Sequence, residues 1–117
     1  MAVMSSYNLI NGIHTSENYD LLTTVLRDEW GFAGIVMTDW TTTTAGGSTS
    51  WKVMAGGGNL IMPGSDEDIE NISVALKNGE LPRKVLEERI RQLLIIIFQT
   101  NVYENSCSYR KQFEREK

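Results

Sequence analysis

Cysteine, histidine and proline are nearly missing from this 117-residue chain, which has one Cys, one His and two Pro. A single Cys107 excludes an internal disulfide and any zinc-finger spacing. A lone His14 makes a multi-histidine metal site implausible, so no metal and no cofactor is expected. No apolar run reaches the roughly 18 residues of a membrane-spanning helix, and the N-terminus lacks a secretory leader's pattern. These absences fit a cytoplasmic setting, with no membrane partner. Lys and Arg number 11 against 15 Asp and Glu, giving a net charge of −4. That balance argues against a nucleic-acid surface. The basic cluster Arg110, Lys111, Arg115 and Lys117 is interleaved with Glu114 and Glu116 and reads as a solvated end. The length also excludes a closed eight-stranded βα-barrel, which takes about 250 residues.

What is present is a chain 41% hydrophobic, enough for one core. Ala2 to Tyr7 reads as a strand, followed by a polar turn at Asn11-Gly12. Thr15 or Ser16 can cap a helix in which Tyr19, Leu22, Val25 and Leu26 recur at helical spacing, with Leu21 and Trp30 widening the apolar face. Gly31 stops it. Ile35-Val36-Met37 is a continuous apolar run that suits a strand covered on both faces. It ends at Asp39-Trp40, ahead of a Thr-, Gly- and Ser-rich stretch, 41–50, that reads as a flexible loop. Trp51 to Met54 reads as a helical turn and Asn59 to Met62 as a third strand, closed by Pro63-Gly64. Ser65 and Asp68 have capping-box spacing for the next helix, which ends near Asn78-Gly79. Pro82 suits the first position of a last helix, with Leu94 in its core-facing stripe and Ile95, Ile96 and Phe98 spreading apolar surface around it.

Strands alternating with helices imply an α/β fold with a parallel sheet, here about three parallel βα units. Three parallel strands leave two open edges, so the pattern points to part of a larger architecture. We expect residues 1–104 to form a partial (β/α) barrel domain and 105–117 a polar tail.

Asp39 is the leading candidate for chemistry. It follows a buried strand directly, where a parallel βα sheet presents its functional edge. Position alone also fits a helix cap. Trp40 offers a flat apolar face to a sugar ring or packs on a neighbouring helix. Tyr7, with Met4, lies towards the same sheet edge and can hydrogen-bond a ligand or Asp39. Gly56-Gly57-Gly58 precedes a strand and has no following Lys-Ser/Thr, so it is not a phosphate loop. Close backbone approach or a tight turn accounts for it better.

These residues also carry a resemblance. Ser6-Tyr7-Asn8-Leu9-Ile10-Asn11-Gly12 resembles the "SYN-x-x-NG" strand end of glycoside hydrolase family 3, and Val36-Met37-Thr38-Asp39-Trp40 resembles that family's nucleophile strand. Leu60-Ile61-Met62-Pro63-Gly64 is similar to its "MPG" segment. The motifs stand in the family's order over nearly all of residues 2–104. The resemblance implies part of the barrel of a retaining exo-acting β-glucosidase, with Asp39 as nucleophile, Tyr7 in the sugar subsite, and Met4 and Trp40 as its apolar walls. It implies a β-glucoside or oligosaccharide substrate in the intact enzyme. The family's upstream sugar-gripping strands and its general acid/base lie outside the resemblance, and its Asp in the "MPG" strand appears here as Asn59. The expectation is therefore a chain inactive alone, completed by the remaining barrel segments. Its rival is a non-catalytic remnant or self-associating interaction module.

Overall fold

The computed structural model describes residues 1–100. The expected tail, and with it Cys107, lies outside the described residues. Three strands form one parallel sheet in the order β1-β4-β5: β1 is Ala2–Met4, β4 is Ile35–Trp40 and β5 is Leu60–Met62. Val3 is in register with Val36, and Met4 with Met37. Both crossovers contain helix, as parallel pairing requires. β4 is central, and Ile35 and Val36 are buried in it.

Between β1 and the first long helix the chain makes a small hairpin, β2 (Leu9–Ile10) with β3 (Ile13–His14). Asn11 and Gly12, with φ of 51° and 81°, form its two-residue turn. That is the backbone a type I′ turn needs. A short 3₁₀ turn, Thr15–Glu17, leads into a π-helix at Asp20–Glu29. Thr15 and Ser16 do not cap this helix. They are buried, and Asn18 Oδ1 accepts instead from Leu21 N at 3.1 Å. The helix ends with Trp30 N donating to Val25 O, an i→i+5 bond. Such a helix carries more residues per turn than an α-helix, so the α-helical spacing of the sequence drifts off its face. Trp30 is consequently 73% exposed rather than packed.

Helix α1 (Ser50–Gly56) follows the Thr-rich loop, and α2 (Asp66–Asn78) follows β5. A Cβ at Gly56 would lie 2.6 Å from Glu17 O, so the glycine permits α1 to touch the 3₁₀ turn. Ser65 Oγ accepts from Asp68 N at 3.2 Å, as the capping spacing predicts. Gly79, at φ 78°, closes α2. The last helix, α3, spans Arg83–Phe98 with Pro82 at its N-cap, one position earlier than expected. The core joins α1, α2 and the approach to α3 through Val53, Met54, Ala75 and Leu81. Leu94 does not belong to it: that side chain is 43% exposed, on a face of α3 turned away from the core. Among the described residues, no helix is long and apolar enough to cross a membrane.

A buried polar junction ties these elements beneath β4. Asn59 is 7% exposed and makes four side-chain hydrogen bonds. Its Oδ1 accepts from Val36 N (2.8 Å) and Arg27 Nη2 (2.7 Å), and its Nδ2 donates to Arg89 O (3.1 Å) and Gln92 Oε1 (2.7 Å). Burial holds both guanidinium groups below their ordinary pKa, and the charge of Arg89 adds to the effect on Arg27.

Candidate functional site

Asp39 sits next to last in β4, at the edge where the sheet's strands end. The ladder to β5 slips there. From Met37 to Trp40 β4 advances three residues while β5 advances only from Leu60 to Met62. The extra residue is a bulge, a device that re-aims a side chain. Thr38 fills the gap in the ladder, its Oγ1 accepting from Met62 N at 2.9 Å. Past the bulge, Thr41 N donates to Met62 O at 2.8 Å, with Thr41 held at φ 59°.

The half-buried Asp39 carboxylate accepts from Trp40 N at 2.7 Å. Asp39 O accepts from Thr42 Oγ1 at 2.8 Å. Tyr7 reaches over from the bend after β1, and its phenol donates to Trp40 O at 2.7 Å. Loss of solvation raises the phenol's pKa above its ordinary value, and the Asp39 carboxylate raises it further through hydrogen bonding and charge. His14 lies under this bend, its Nδ1 3.4 Å from Tyr7 O. Met4 is in register with Met37, two positions before Asp39. Met4, Tyr7 and Trp40 are 59%, 55% and 58% exposed, an open aromatic and thioether surface around one carboxylate. The four residues singled out in the sequence therefore gather at one end of the sheet.

The loop after Trp40 is not the flexible segment its composition suggests. Thr44 N donates to Thr41 O, Gly47 N to Thr44 O and Ser48 N to Thr42 O, and the hydroxyls of Thr41, Thr42 and Thr44 each bond a nearby carbonyl. Glu17 Oε2 accepts from Thr49 N at 2.9 Å, so this carboxylate anchors the loop. Beside it lies a cavity of about 280 Å³ lined by hydroxyls of the loop together with Ser65, Glu67 and Asp68. Asp68 organises that wall by accepting from Ser50 Oγ (2.6 Å) and Ser65 Oγ (2.7 Å). Burial alone would raise its pKa. The hydrogen bonds from Ser50, Ser65 and Thr43 outweigh burial and hold the carboxyl below its ordinary value.

Sequence reasoning missed Thr38 and Thr42, which shape the bulge. Nothing in a Thr-rich stretch distinguishes ladder-filling hydroxyls from solvated ones. It also read Asn11-Gly12 only as a turn, although Asn-Gly between apolar pairs is a hairpin signal.

The glycosyl hydrolase family 3 N terminal domain matches residues 1–96. The chain belongs to this family. It is 39% identical over 106 residues to a β-glucosidase of Rhizobium radiobacter, covering 90% of this chain and 12% of that protein. It is 38% identical over 108 residues to an exo-α-(1→6)-L-arabinopyranosidase of Bifidobacterium breve, covering 92% of this chain and 14% of that protein. Among solved structures it is similar to β-glucosidase 3B from Thermotoga neapolitana in complex with glucose, with a TM-score of 0.81 and 39% identity over 89% of this chain and 15% of that one. The chain spans 12% to 14% of the length of these curated relatives. The parallel βα arrangement is thus a section of a family 3 barrel domain, and its strand-end edge carries Asp39.

Proposed function

We propose that this segment supplies the nucleophile half of a retaining exo-acting β-glucosidase site, with Asp39 as the attacking carboxylate. The observation that carries the reading is the bulge at Thr38–Asp39, which sets one carboxylate at the end of the central strand beside the Tyr7 phenol and the exposed Trp40 face. Retention of anomeric configuration needs two carboxyl groups about 5–5.5 Å apart. Asp39 attacks the anomeric carbon, the leaving oxygen takes a proton from the second group, and water later displaces the aspartyl ester. That second group comes from outside this segment. Tyr7 holds its hydroxyl near the developing charge. Trp40 and Met4 wall the sugar. The names of the matched relatives, a β-glucosidase and an arabinopyranosidase, support a terminal glycosyl substrate and favour glucose.

The test is a chimera in which residues 1–96 replace the matching segment of the Thermotoga neapolitana enzyme. The chimera should hydrolyse an aryl β-glucoside. Asp39→Gly should lower kcat by at least about 10³-fold. Azide should restore release of the aryl group by filling the vacated position and giving the inverted glycosyl azide. Unchanged turnover in Asp39→Gly would overturn the assignment.

A further inference from the structure

We infer that Thr38 and Thr42 are positioning residues: their buried hydroxyls, one on each side of Asp39, hold the bulge that aims its carboxylate. The inference rests on the proposed role of Asp39 as nucleophile and adds what keeps that carboxylate in line. Between the pairs Met37–Leu60 and Trp40–Met62, Thr38 and Asp39 of β4 together face Ile61. A bulge of this kind breaks the regular ladder and bends its strand. Backbone groups released from a ladder need other partners when water cannot reach them. Here threonine hydroxyls supply them. Thr38 Oγ1 accepts from Met62 N at 2.9 Å, and Thr42 Oγ1 donates to Asp39 O at 2.8 Å. The two residues are 2% and 4% exposed, so little water competes for either bond. Valine would fill the same space and satisfy neither backbone group.

Each hydroxyl ties Asp39 to a different part of the fold. Thr38 ties it to β5. Thr42 ties it to the base of the following loop, because Thr42 O accepts from Ser48 N at 2.9 Å. The Ser48 hydroxyl in turn hydrogen-bonds that of Ser16 in the 3₁₀ turn, and both serines are buried. The Asp39 side chain is itself only half-buried. Its carboxylate accepts from the adjacent Trp40 N, a bond that moves with the same stretch of backbone. The direction of the carboxylate therefore follows the backbone of residues 38–42. Attack on an anomeric carbon is sensitive to that direction, since a misplacement of about 1 Å costs about 10²-fold in rate. Loss of either hydroxyl slows the attack more than it weakens the binding of the sugar.

The experiment uses the chimera carrying residues 1–96 and a 2-deoxy-2-fluoro-β-glucoside with a dinitrophenyl leaving group. Asp39 Oδ bonds the anomeric carbon as the bond to the aryl oxygen breaks, and dinitrophenolate leaves with the electron pair. This leaving group needs no proton, so the rate of inactivation reads the nucleophile without the general acid. The fluorine slows hydrolysis of the ester, and mass mapping finds the residue that carries the sugar. Thr38→Val and Thr42→Val should each slow inactivation at least about tenfold, with half-saturation moved by less than about threefold. Thr38→Ser, which keeps the hydroxyl, should regain most of the lost rate. Leu81→Ala, which loosens the core, should keep the parental rate wherever the chimera stays folded.

A parental rate in either valine variant overturns the proposal and leaves Asp39 as nucleophile. So does a loss at Thr38→Val that serine does not restore, because shape rather than the hydroxyl would then matter. Should Thr38→Val fail to fold, Thr42→Val decides alone. A fluorosugar found on a residue other than Asp39 in the parent chimera overturns the reading of Asp39, and this inference with it.

Discussion

Asp39 and Asp68 both lie towards the strand-end side, but the carboxylate of Asp39 accepts from the Trp40 backbone N–H while that of Asp68 accepts from two hydroxyls. Asp68 accepts from Ser50 and Ser65 in a buried setting, and its carboxyl is held below the ordinary range. Because its folded pKa is depressed, the stability it contributes is full above the ordinary Asp value near ~3.9 and is lost as pH falls through the lower folded value. Asp68→Asn should therefore lower the unfolding free energy by about 1.5–3 kcal/mol at neutral pH, and the gap to the parent should narrow in acid. Urea melts at several pH values measure it, and a gap constant with pH would contradict the role. Tyr7 answers to a different test. Its phenol bonds Trp40 O from an exposed position, so Tyr7→Phe should leave the fold's melting temperature nearly unchanged. In the chimera the same substitution should reduce kcat about 10²-fold, through lost stabilisation of transition-state charge. A rise in KM alone would make Tyr7 a binding contact instead.

At the scale of elements, burial decides which apolar residues matter. Leu81 is 1% exposed in the core under α1 and α2, whereas Leu94 on α3 stands largely in solvent. Leu81→Ala should cost about 2–5 kcal/mol, and Leu94→Ala no more than about 0.5 kcal/mol, by chemical denaturation of the chain. A large loss at Leu94 would mean that self-association covers α3. The three strands and the helices after them were legible from Ile35-Val36-Met37, from the glycine and proline stops, and from the spacing of Ser65 and Asp68. The gathering of Tyr7, Asp39 and Trp40 at one end of the sheet was legible too, because Asp39 and Trp40 close β4 and Tyr7 follows β1. Three features were not legible, each for a physical reason. The π-helix keeps an α-like apolar pattern and differs only in which carbonyl each N–H meets. The bulge at Asp39 depends on how many residues β5 offers opposite β4, a property of two segments rather than one. The exposed half of α3 reads as core because apolar residues at helical spacing look the same whether or not a neighbour covers them.

As a whole molecule, the described residues form a section of a barrel around a shared interior. Under the proposed function its strand-end edge holds one carboxylate of the required pair, so the chain alone should release no nitrophenol from an aryl β-glucoside. Activity that Asp39→Ala removes would mean that the chain recruits an acid of its own. The interior rests on Asn59, whose amide joins the π-helix, β4, β5 and α3 at one point. The Val36 amide hydrogen points into that junction, held by Asn59 Oδ1 and covered on every side. No fraying of one element can bare it to water, since each of the four holds the others in place. Its exchange with deuterium should then proceed only when the entire chain opens, making one proton a gauge of the global folding equilibrium.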